Sequence, residues 1–357
     1  MTVAAFMDAA LYHPEFGYYA RAAQRSGRAG DFFTSVDVGP LFGELLAKQI
    51  AEMAEILNSA FSIQNFDLVE AGAGNGRLTA DILRALKRDA PDTYRATRVH
   101  LVETSEAARA LHAGTLADFA DRLVTSSAVL PESFAGALLA NELLDAMPVH
   151  QVVMREDGLR EIYIEGHDRQ LRLREGALST SRIAEHLAAL GVNLEPGWRA
   201  DISLAAFDWM REAARKLKRG FIMAIDYGHE AAELYSVTHS TGTLTSFARH
   251  RSAGPESAAA LWLRTPGEQD LTAHVDFTSV RRAAEAEGCA TLGFLDQMYL
   301  LLALVTDRLP TLDAKERLAL KTLVMPGGLG TTMKVLILGK HVGTRQLAGL
   351  SSYARVT

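Results

Sequence analysis

Short apolar runs alternate along the chain with stretches in which apolar side chains recur at helical spacing. The first such pair is the run 66–69 and a stretch from Leu78 toward Arg88, separated by a glycine-rich turn and followed by Pro91. Further strands are predicted at 99–102, 137–140, 221–225, 290–294 and 333–338, and further helices at 41–56, 105–119, 203–217, 278–287, 297–306 and 313–324. This alternation predicts an α/β fold built on a mostly parallel sheet.

Two segments depart from this alternation. Residues 151–173 contain three short runs with a period of two, separated by turns at Gly158 and Gly166, which predicts an antiparallel β-insertion. Residues 230–275 are rich in Ser, Thr, Gly, Ala and His without a clear period, so we expect loops and short helices at the rim of a site. The helix at 203–217 is expected to end at Gly220.

The composition excludes several classes of protein. The chain has 357 residues, 48% of them hydrophobic, which favours a large core with insertions. Its formal net charge of −6 argues against a dedicated nucleic-acid binder. The one cysteine, Cys289, cannot form an internal disulfide, and no His/Cys pair shows zinc spacing. We therefore expect a reducing compartment and no metal.

The turn after the first strand carries the most informative motif. Glu70 is followed by glycines at positions 72, 74 and 76, and glycine lets a backbone approach a ligand closely. The helix that follows offers free N–H groups at its start. The dinucleotide pattern G-x-G-x-x-G fails, because Arg77 and Thr79 stand where its last glycine is needed. The E-x-G-x-G-x-G spacing instead resembles motif I of class I methyltransferases, whose ligand is S-adenosylmethionine.

A second acid supports a cofactor site. The next predicted strand ends in Glu103, whose carboxylate can accept hydrogen bonds from both ribose hydroxyls of an adenosine. The alternative is a tight turn without a ligand and a solvated strand end, but the motif and the acid together favour the cofactor. The expected contacts from these segments are Glu70, Gly72, Ala73, Gly74, Gly76 and Glu103.

Motifs in a fixed order carry a more specific resemblance. They are Gly-Asp-Phe-Phe-Thr-Ser at 30–35, Leu-Phe-Gly-Glu-Leu at 41–45, the glycine turn, Val-Glu at 102–103, Ala-Asn-Glu at 140–142, Asp-Ala-Met-Pro at 145–148, Ile-Asp-Tyr-Gly-His at 225–229 and Asp-Leu-Thr-Ala-His-Val-Asp-Phe at 270–277. Over most of its length the chain resembles the MidA family, the mitochondrial complex I assembly methyltransferases and their bacterial relatives. One departure is Val36, where the family commonly has proline.

The resemblance implies a class I methyltransferase, Rossmann-like fold with a seven-stranded sheet, and S-adenosyl-L-methionine as cofactor. It also implies methyl transfer to an arginine nitrogen of a protein, with a respiratory complex I subunit as the type of substrate. Thr34 and Ser35 are expected either to close over the methionine end of the cofactor, as the resemblance implies, or to cap the helix 41–56.

The chemistry of methyl transfer points to acids after the fourth predicted strand. Transfer is an in-line displacement at a sulfonium, so the protein must position the acceptor and remove one proton. An arginine guanidinium has a pKa above ~12, so the site needs carboxylates that orient it and take the proton. Glu142 and Asp145 are the candidate catalytic acids, and the side-chain carbonyl of Asn141 can fix the acceptor. The alternative for both acids is compensation of a helix dipole.

The predicted architecture divides the chain by these patterns. Substrate-side candidates are Asp226, Tyr227, His229 and His274, although His229 is more typical of a rim residue than of a base. The predicted parts are an N-terminal helical cap over the cofactor site (1–65), a methyltransferase core (66–150, 203–229 and 276–340), a β-rich insertion (151–202), substrate-side loops (230–275) and a flexible tail (341–357).

The predicted function is methyl transfer to a protein. A homodimer is one option for its oligomeric state. The rival hypothesis is a non-catalytic protein that keeps the fold and assists assembly of a respiratory complex. The N-terminus lacks a signal or transit pattern and the longest apolar run, 299–305, is too short to cross a bilayer, so we expect a bacterial cytoplasmic protein without membrane insertion.

Overall fold

The computed structural model describes residues 1–20, 34–62, 64–168, 170–248, 251–253, 261–343 and 346–351. Its largest element is a sheet whose main path has seven strands. These are β1 Phe66–Ala71, β2 Thr97–Val102, β3 Leu123–Ser127, β4 Phe134–Asn141, β5 Leu217–His229, β6 Ala290–Asp296 and β7 Met333–Lys340. The part of the first sequence motif at 30–33 lies outside the described residues.

The strand order in this sheet is β3-β2-β1-β4-β5-β7-β6. Neighbouring strands run parallel from β3 to β5, whereas β7 is antiparallel to both β5 and β6. A two-residue strand, Val275–Asp276, pairs in parallel with the end of β5. The chain order reverses between β1 and β4, and ligands of such sheets bind beyond the carboxyl ends of the strands at this switch point. The predicted class I methyltransferase fold is confirmed.

Helices cover both faces of the main sheet. Leu41–Phe61, Arg77–Asp89 and Gln297–Val305 pack on one face, and Leu204–Lys216 and Phe277–Glu285 pack on the other. The other helices are Val3–Tyr12, Pro91–Ala96, Glu106–Arg109, His112–Thr115, Arg182–Leu190, Ala231–Leu234, Ala314–Val324 and Leu329–Thr332. Among the described helices, none has both the length and the apolar content needed to cross a bilayer.

The β-insertion forms an antiparallel sheet of its own, as predicted. Its strands are His150–Arg155, Gly158–His167, Gln170–Gly176 and Arg199–Ile202, and the first strand pairs with both the second and the fourth. The helix Val3–Tyr12 packs on this sheet in a separate apolar cluster, whereas the helix Leu41–Phe61 packs in the core of the main sheet. The single cap expected over residues 1–65 is therefore divided between two cores.

Residues 230–275 contain more regular structure than the sequence predicts. Thr245–Ala248, Arg251–Ala253 and Asp270–Thr272 form a small antiparallel sheet. These strands are three or four residues long, so their side-chain alternation is too brief to indicate a strand. The substrate-side region therefore contains a small β-sheet as well as loops.

Two local predictions were wrong. Gly220 does not end a helix but lies inside β5 with a φ of 136°, and a Cβ added there would lie 1.9 Å from the carbonyl oxygen of Gly136 on β4. The close approach of two strands therefore requires this glycine. The helix predicted at 105–119 is broken into Glu106–Arg109, His112–Thr115 and a 3₁₀ turn, Ala117–Phe119.

The predicted flexible tail is anchored in its described part. Leu347 and Leu350 are buried in the core of the main sheet. The amide of Gly349 donates to Oε1 of Gln49 at 2.9 Å. Single apolar anchors of this kind have no period, so the sequence pattern does not indicate them.

Candidate active site

A cleft of about 650 Å³ lies at the carboxyl ends of β1, β2 and β4. Its walls are the glycine turn after β1, the exit of β2 and the turn after β4, and the N-terminal helix contributes Tyr12. The predicted site residues that line this cleft are Thr34, Glu70, Gly72, Ala73, Gly74, Glu103, Asn141 and Glu142. Those that do not line it are Ser35, Gly76, Asp145, Asp226, Tyr227, His229 and His274.

The glycine turn is fixed by two side chains from outside it. Gly72, Gly74 and Gly76 have φ values of 71°, 53° and 84°, which glycine adopts without steric cost. The amide of Gly74 donates to Oε2 of Glu103 at 2.9 Å, and Nε2 of His112 lies 2.8 Å from the Gly74 carbonyl oxygen. Burial lowers the pKa of His112, so the neutral ring donates this hydrogen bond. No sequence pattern indicates His112, because it lies 38 positions from its partner.

Glu103 keeps acceptor capacity for a ribose. Its Oε2 accepts from Gly74, and its Oε1 accepts from the amide of Ser105 at 2.8 Å and from the Thr104 hydroxyl at 3.4 Å. A carboxylate offers about four acceptor positions, so Oε2 can accept again. The position of Glu103 at the exit of β2, in the cleft wall, matches the expected ribose contact.

Glu70 lies beneath the glycine turn and is buried. Its carboxylate accepts from the amide of Thr79 at 3.2 Å and from the Thr79 hydroxyl. Burial raises the pKa of Glu70 to about 7, although these hydrogen bonds act in the opposite direction. Glu70 therefore joins the end of β1 to the helix Arg77–Asp89 and fixes the turn between them.

The turn after β4 brings Asn141 and Glu142 to the cleft. Glu142 has a φ of 52°, a left-handed conformation that costs a non-glycine residue on the order of 1–3 kcal/mol. Its Oε1 accepts from the amide of Ser35 at 3.3 Å and from Nδ2 of Asn141 at 3.1 Å. Burial raises the pKa of Glu142 to about 8, and the charge of Asp226 adds to the rise. Oδ1 of Asn141 is buried and has no hydrogen-bond partner among the described residues.

Asp226 and Asp145 lie behind the cleft wall and not in it. Oδ2 of Asp226 accepts from the amides of Leu143 at 3.0 Å and Leu144 at 2.7 Å. Burial raises the pKa of Asp226 to about 7. Burial, followed by the charges of Asp226 and Asp270, raises the pKa of Asp145 well above its ordinary value. Asp226 was predicted to contact substrate, but β5 continues beyond it, so its carboxylate instead holds the turn at 142–145.

Thr34 and Ser35 differ in their surroundings. Thr34 lines the cleft and caps the 3₁₀ turn Ser35–Val38 in a capping box with Asp37. The long helix that follows has no side-chain cap, so that alternative was wrong. Ser35 is fully buried, and its hydroxyl donates to Oε1 of Gln297 at 3.0 Å. Through its amide, Ser35 holds the carboxylate of Glu142 from behind.

Two tyrosines that the sequence did not single out complete the cleft. Tyr12 and Tyr19 stack with their ring centroids 5.5 Å apart, and both line the cleft. The Tyr12 hydroxyl donates to the carbonyl oxygen of Ala146 at 2.9 Å, and the Tyr19 hydroxyl donates to Oδ1 of Asp270 at 2.9 Å. The partners are 134 and 251 positions away, so local patterns carry no signal for these contacts.

Three predicted substrate-side residues, Tyr227, His229 and His274, do not line the cleft. β5 continues to His229, and its end pairs with Val275–Asp276, which places the rings of His229 and His274 5.3 Å apart outside the cleft. Asp276 accepts from the amide of Ser279 at 3.1 Å and so caps the helix Phe277–Glu285. The predicted substrate-side set therefore lies outside the cleft, with Asp226 behind its wall and His229 and His274 in a separate histidine cluster.

Comparisons with known proteins agree with this geometry. The profile of an S-adenosyl-L-methionine-dependent methyltransferase family matches residues 45–295. The chain belongs to this family. The match confirms the methyltransferase resemblance and the cofactor predicted from the glycine turn.

Relatives of this methyltransferase extend the match to nearly the whole chain. Protein arginine methyltransferase NDUFAF7 of Mus musculus is 30% identical over 327 residues, which cover 84% of this chain and 70% of the relative. The NDUFAF7 homolog of Drosophila melanogaster is 28% identical and covers 98% of this chain and 85% of its own length. A crystal structure from Burkholderia thailandensis, bound to S-adenosyl-homocysteine, is 29% identical with a TM-score of 0.87, covering 98% of this chain and 90% of its own.

The residues of the cleft fit the cofactor of this methyltransferase family. A Cβ added to Gly74 would meet no atom of the described chain within 4 Å, so the turn leaves open space against its backbone. Glu103 lies where the ribose is expected. Arg77 also lines the cleft, donates to Oδ1 of Asp37 at 2.5 Å, and has a buried Nε without a partner among the described residues. Its guanidinium can bind the carboxylate of the methionine part.

Proposed function

We propose that the protein is a protein arginine N-methyltransferase that uses S-adenosylmethionine, with a respiratory complex I subunit as the type of substrate. The relatives named protein arginine methyltransferase support the acceptor class. The resemblance to the complex I assembly methyltransferases supports the type of protein. The chemistry of the cleft gives an independent reason for an arginine acceptor.

The buried Oδ1 of Asn141, which lacks a hydrogen-bond partner among the described residues, carries this proposal. A buried acceptor without a donor is unfavourable, and native proteins rarely retain one without a ligand or water that satisfies it. Nδ2 of the same side chain is already used by Glu142, which fixes the direction of Oδ1. An N–H group of the acceptor arginine is a donor of the required kind.

The acids around this atom suit a cationic acceptor. Glu142 lies in the cleft wall, and after burial the charge of Asp226 raises its pKa. Behind the wall, burial and the charges of Asp226, Asp270 and Glu142 raise the pKa of Asp145. Without a cation, burial and mutual repulsion favour protonated acids. A guanidinium in the cleft favours their ionised forms and makes Glu142 able to take a proton.

Each residue of the site has a separate role in methyl transfer. When bound, S-adenosylmethionine supplies a methyl group on a sulfonium sulfur. Asn141 Oδ1 orients an acceptor N–H so that the nitrogen can form the new N–C bond as the C–S bond breaks. The Glu142 carboxylate takes the proton that the nitrogen releases, and the pair of electrons from the broken bond stays on sulfur. Asp226 acts through the turn that presents Glu142.

The proposal is tested with Glu142→Gln and a matched control, Glu161→Gln. Glu161 is a fully buried glutamate that lies in the β-insertion away from the cleft, so it tests the same substitution outside the site. Both variants and the wild type are incubated with methyl-labelled cofactor and a bacterial lysate, and labelled proteins are hydrolysed to identify the methylated amino acid. We expect Glu142→Gln to bind S-adenosyl-homocysteine normally and to transfer at least about 100-fold more slowly, with Glu161→Gln unaffected.

Three other results would count against the proposal. Equal transfer by Glu142→Gln would remove the proton-acceptor role. Label on an amino acid other than arginine would overturn the acceptor class. Normal cofactor binding by the wild type without any labelled protein would favour the non-catalytic assembly hypothesis.

A further inference from the structure

Three histidines from separate segments form a compact cluster beside the end of β5. His229 ends β5, His239 ends the 3₁₀ turn Val237–His239, and His274 precedes the strand Val275–Asp276. Their ring centroids are 4.7, 5.3 and 5.6 Å apart in the three pairs. One possible ligand atom from each ring lies within 4.8 Å of the other two, and no second group of this kind occurs in the part of the chain that the structure describes.

The contacts of this cluster leave ring nitrogens available to an ion. Nδ1 of His239 lies 3.1 Å from the carbonyl oxygen of Glu233, so it donates there and leaves the lone pair of Nε2 free. Nδ1 of His274 is buried without a hydrogen-bond partner in the described chain. Nδ1 of His229 also lacks a well-aligned hydrogen bond, although it lies 3.0 Å from Oε1 of Glu233. A metal ion, which accepts lone pairs, would satisfy buried ring nitrogens that lack a hydrogen-bond partner.

We propose that His229, His239 and His274 bind a divalent transition-metal ion, and that zinc is the ion that fits best. Three imidazoles and one further ligand are a common zinc set, and Glu233 or water can supply the fourth position. Zinc–nitrogen bonds of about 2.0–2.1 Å put tetrahedral ligand atoms about 3.3 Å apart, so the rings need to close by up to about 1.5 Å. The positive charge of Lys334 disfavours a cation at this cluster, but its Nζ is paired with the carboxylate of Asp296 at 2.5 Å.

The ion would act as a structural clip on the substrate side of the protein. His229 belongs to the main sheet, whereas His239 and His274 come from the region 230–275 that packs against it. The amide of Ala273, next to His274, donates to the carbonyl oxygen of Asp145 at 2.9 Å. Metal binding would therefore fix the wall behind the turn at 142–145 without contact with the methyl-transfer chemistry. The sequence predicted no metal, because these three histidines follow no zinc-motif spacing.

The test uses the full chain without a histidine tag, stripped with a chelator and titrated with zinc chloride. Elemental analysis after gel filtration measures the zinc content, and cobalt substitution gives visible d–d absorption bands that report tetrahedral nitrogen ligands. We expect one zinc per chain, a cobalt spectrum of tetrahedral type and a higher unfolding temperature with zinc. His239→Ala should weaken zinc binding at least tenfold and abolish the cobalt bands.

The control is His341→Asn, which changes an exposed histidine with a φ of 55° that asparagine tolerates. It should keep full zinc content and the cobalt spectrum. Zinc bound equally by His239→Ala and the wild type would assign the ion to surface carboxylates and overturn the proposal. So would a stripped wild-type chain that neither takes up zinc nor gains thermal stability from it. Methyl transfer is not the readout, so failure of the proposed function leaves this test intact.

Discussion

Replacing Gly74 with leucine separates the role of the glycine turn in cofactor binding from its role in the fold. Gly74 has a φ of 53°, and a Cβ added there would meet nothing within 4 Å in the part of the chain that the structure describes. The free protein therefore has room for the new side chain but must hold leucine in the left-handed region. That conformation costs about 1–2 kcal/mol, which predicts a decrease of a few degrees in the unfolding temperature.

The cost to binding is larger than the cost to folding. The leucine side chain would occupy space in the cleft wall that the cofactor needs against the backbone. Overpacking of a close contact costs about 1–3 kcal/mol, which corresponds to a roughly 5- to 150-fold loss of affinity. We therefore expect Gly74→Leu to bind S-adenosyl-homocysteine at least about fivefold more weakly, measured by titration calorimetry.

The chain offers a closely matched control in Gly191. Its φ is 72°, a Cβ added there would also meet nothing within 4 Å, and it ends the helix Arg182–Leu190 in the β-insertion. Gly191→Leu should lose similar stability and keep full affinity for S-adenosyl-homocysteine. If both variants bound the ligand as the wild type does, the assignment of the glycine turn as the cofactor site would be refuted.

Two further predictions concern the buried acids. Asp226→Asn should cost about 1–3 kcal/mol in urea unfolding, because its single side-chain oxygen cannot accept both from the turn amides at 143–145 and from the amide of Tyr227, and it should also slow methyl transfer at unchanged cofactor affinity. The control Asp67→Asn also removes a buried acceptor of an amide, and it should lower stability without slowing methyl transfer. Equal rates of transfer by the two variants would contradict the positioning role of Asp226. The value of kcat/KM should rise as pH increases through about 8, where Glu142 ionises in the free enzyme, and this rise should vanish in Glu142→Gln. Because the folded pKa of Glu142 exceeds the unfolded value, its contribution to stability is complete below about pH 4.5 and is lost toward pH 8; an equal decline in Glu142→Gln would contradict this.

The main elements were predictable because their residues repeat locally. Strands β1, β2 and β4 are buried runs, and the helices on both faces show apolar residues at helical spacing. The sequence pattern does not predict β3, because this edge strand exposes Val124 and Ser126 and so contains no buried apolar run. Gly220 was misread because a glycine after a helix and a glycine required by a neighbouring strand look alike in sequence.

The candidate site was predictable only where it coincides with a local motif. The glycine turn, Glu103 and Asn141 lie at strand ends, so the order of elements places them at one edge of the sheet. His112 supports the glycine turn and Tyr19 lines the cleft through contacts between distant parts of the chain, which no spacing rule encodes. Asp226 belongs to the motif but does not have the expected role, because β5 extends four residues beyond its apolar run at 221–225.

The turn at 142–145 connects these observations. Glu142 is held in a left-handed conformation, and that strain can persist only because its surroundings determine it from several sides. Asp226 fixes the amides that follow, Ser35 binds the carboxylate, and Ala273 binds the carbonyl of Asp145. These supports come from β5, the N-terminal region and the substrate-side region, so the acid is positioned only when all three are assembled. A substitution in any one of them should therefore reduce transfer without touching the acceptor.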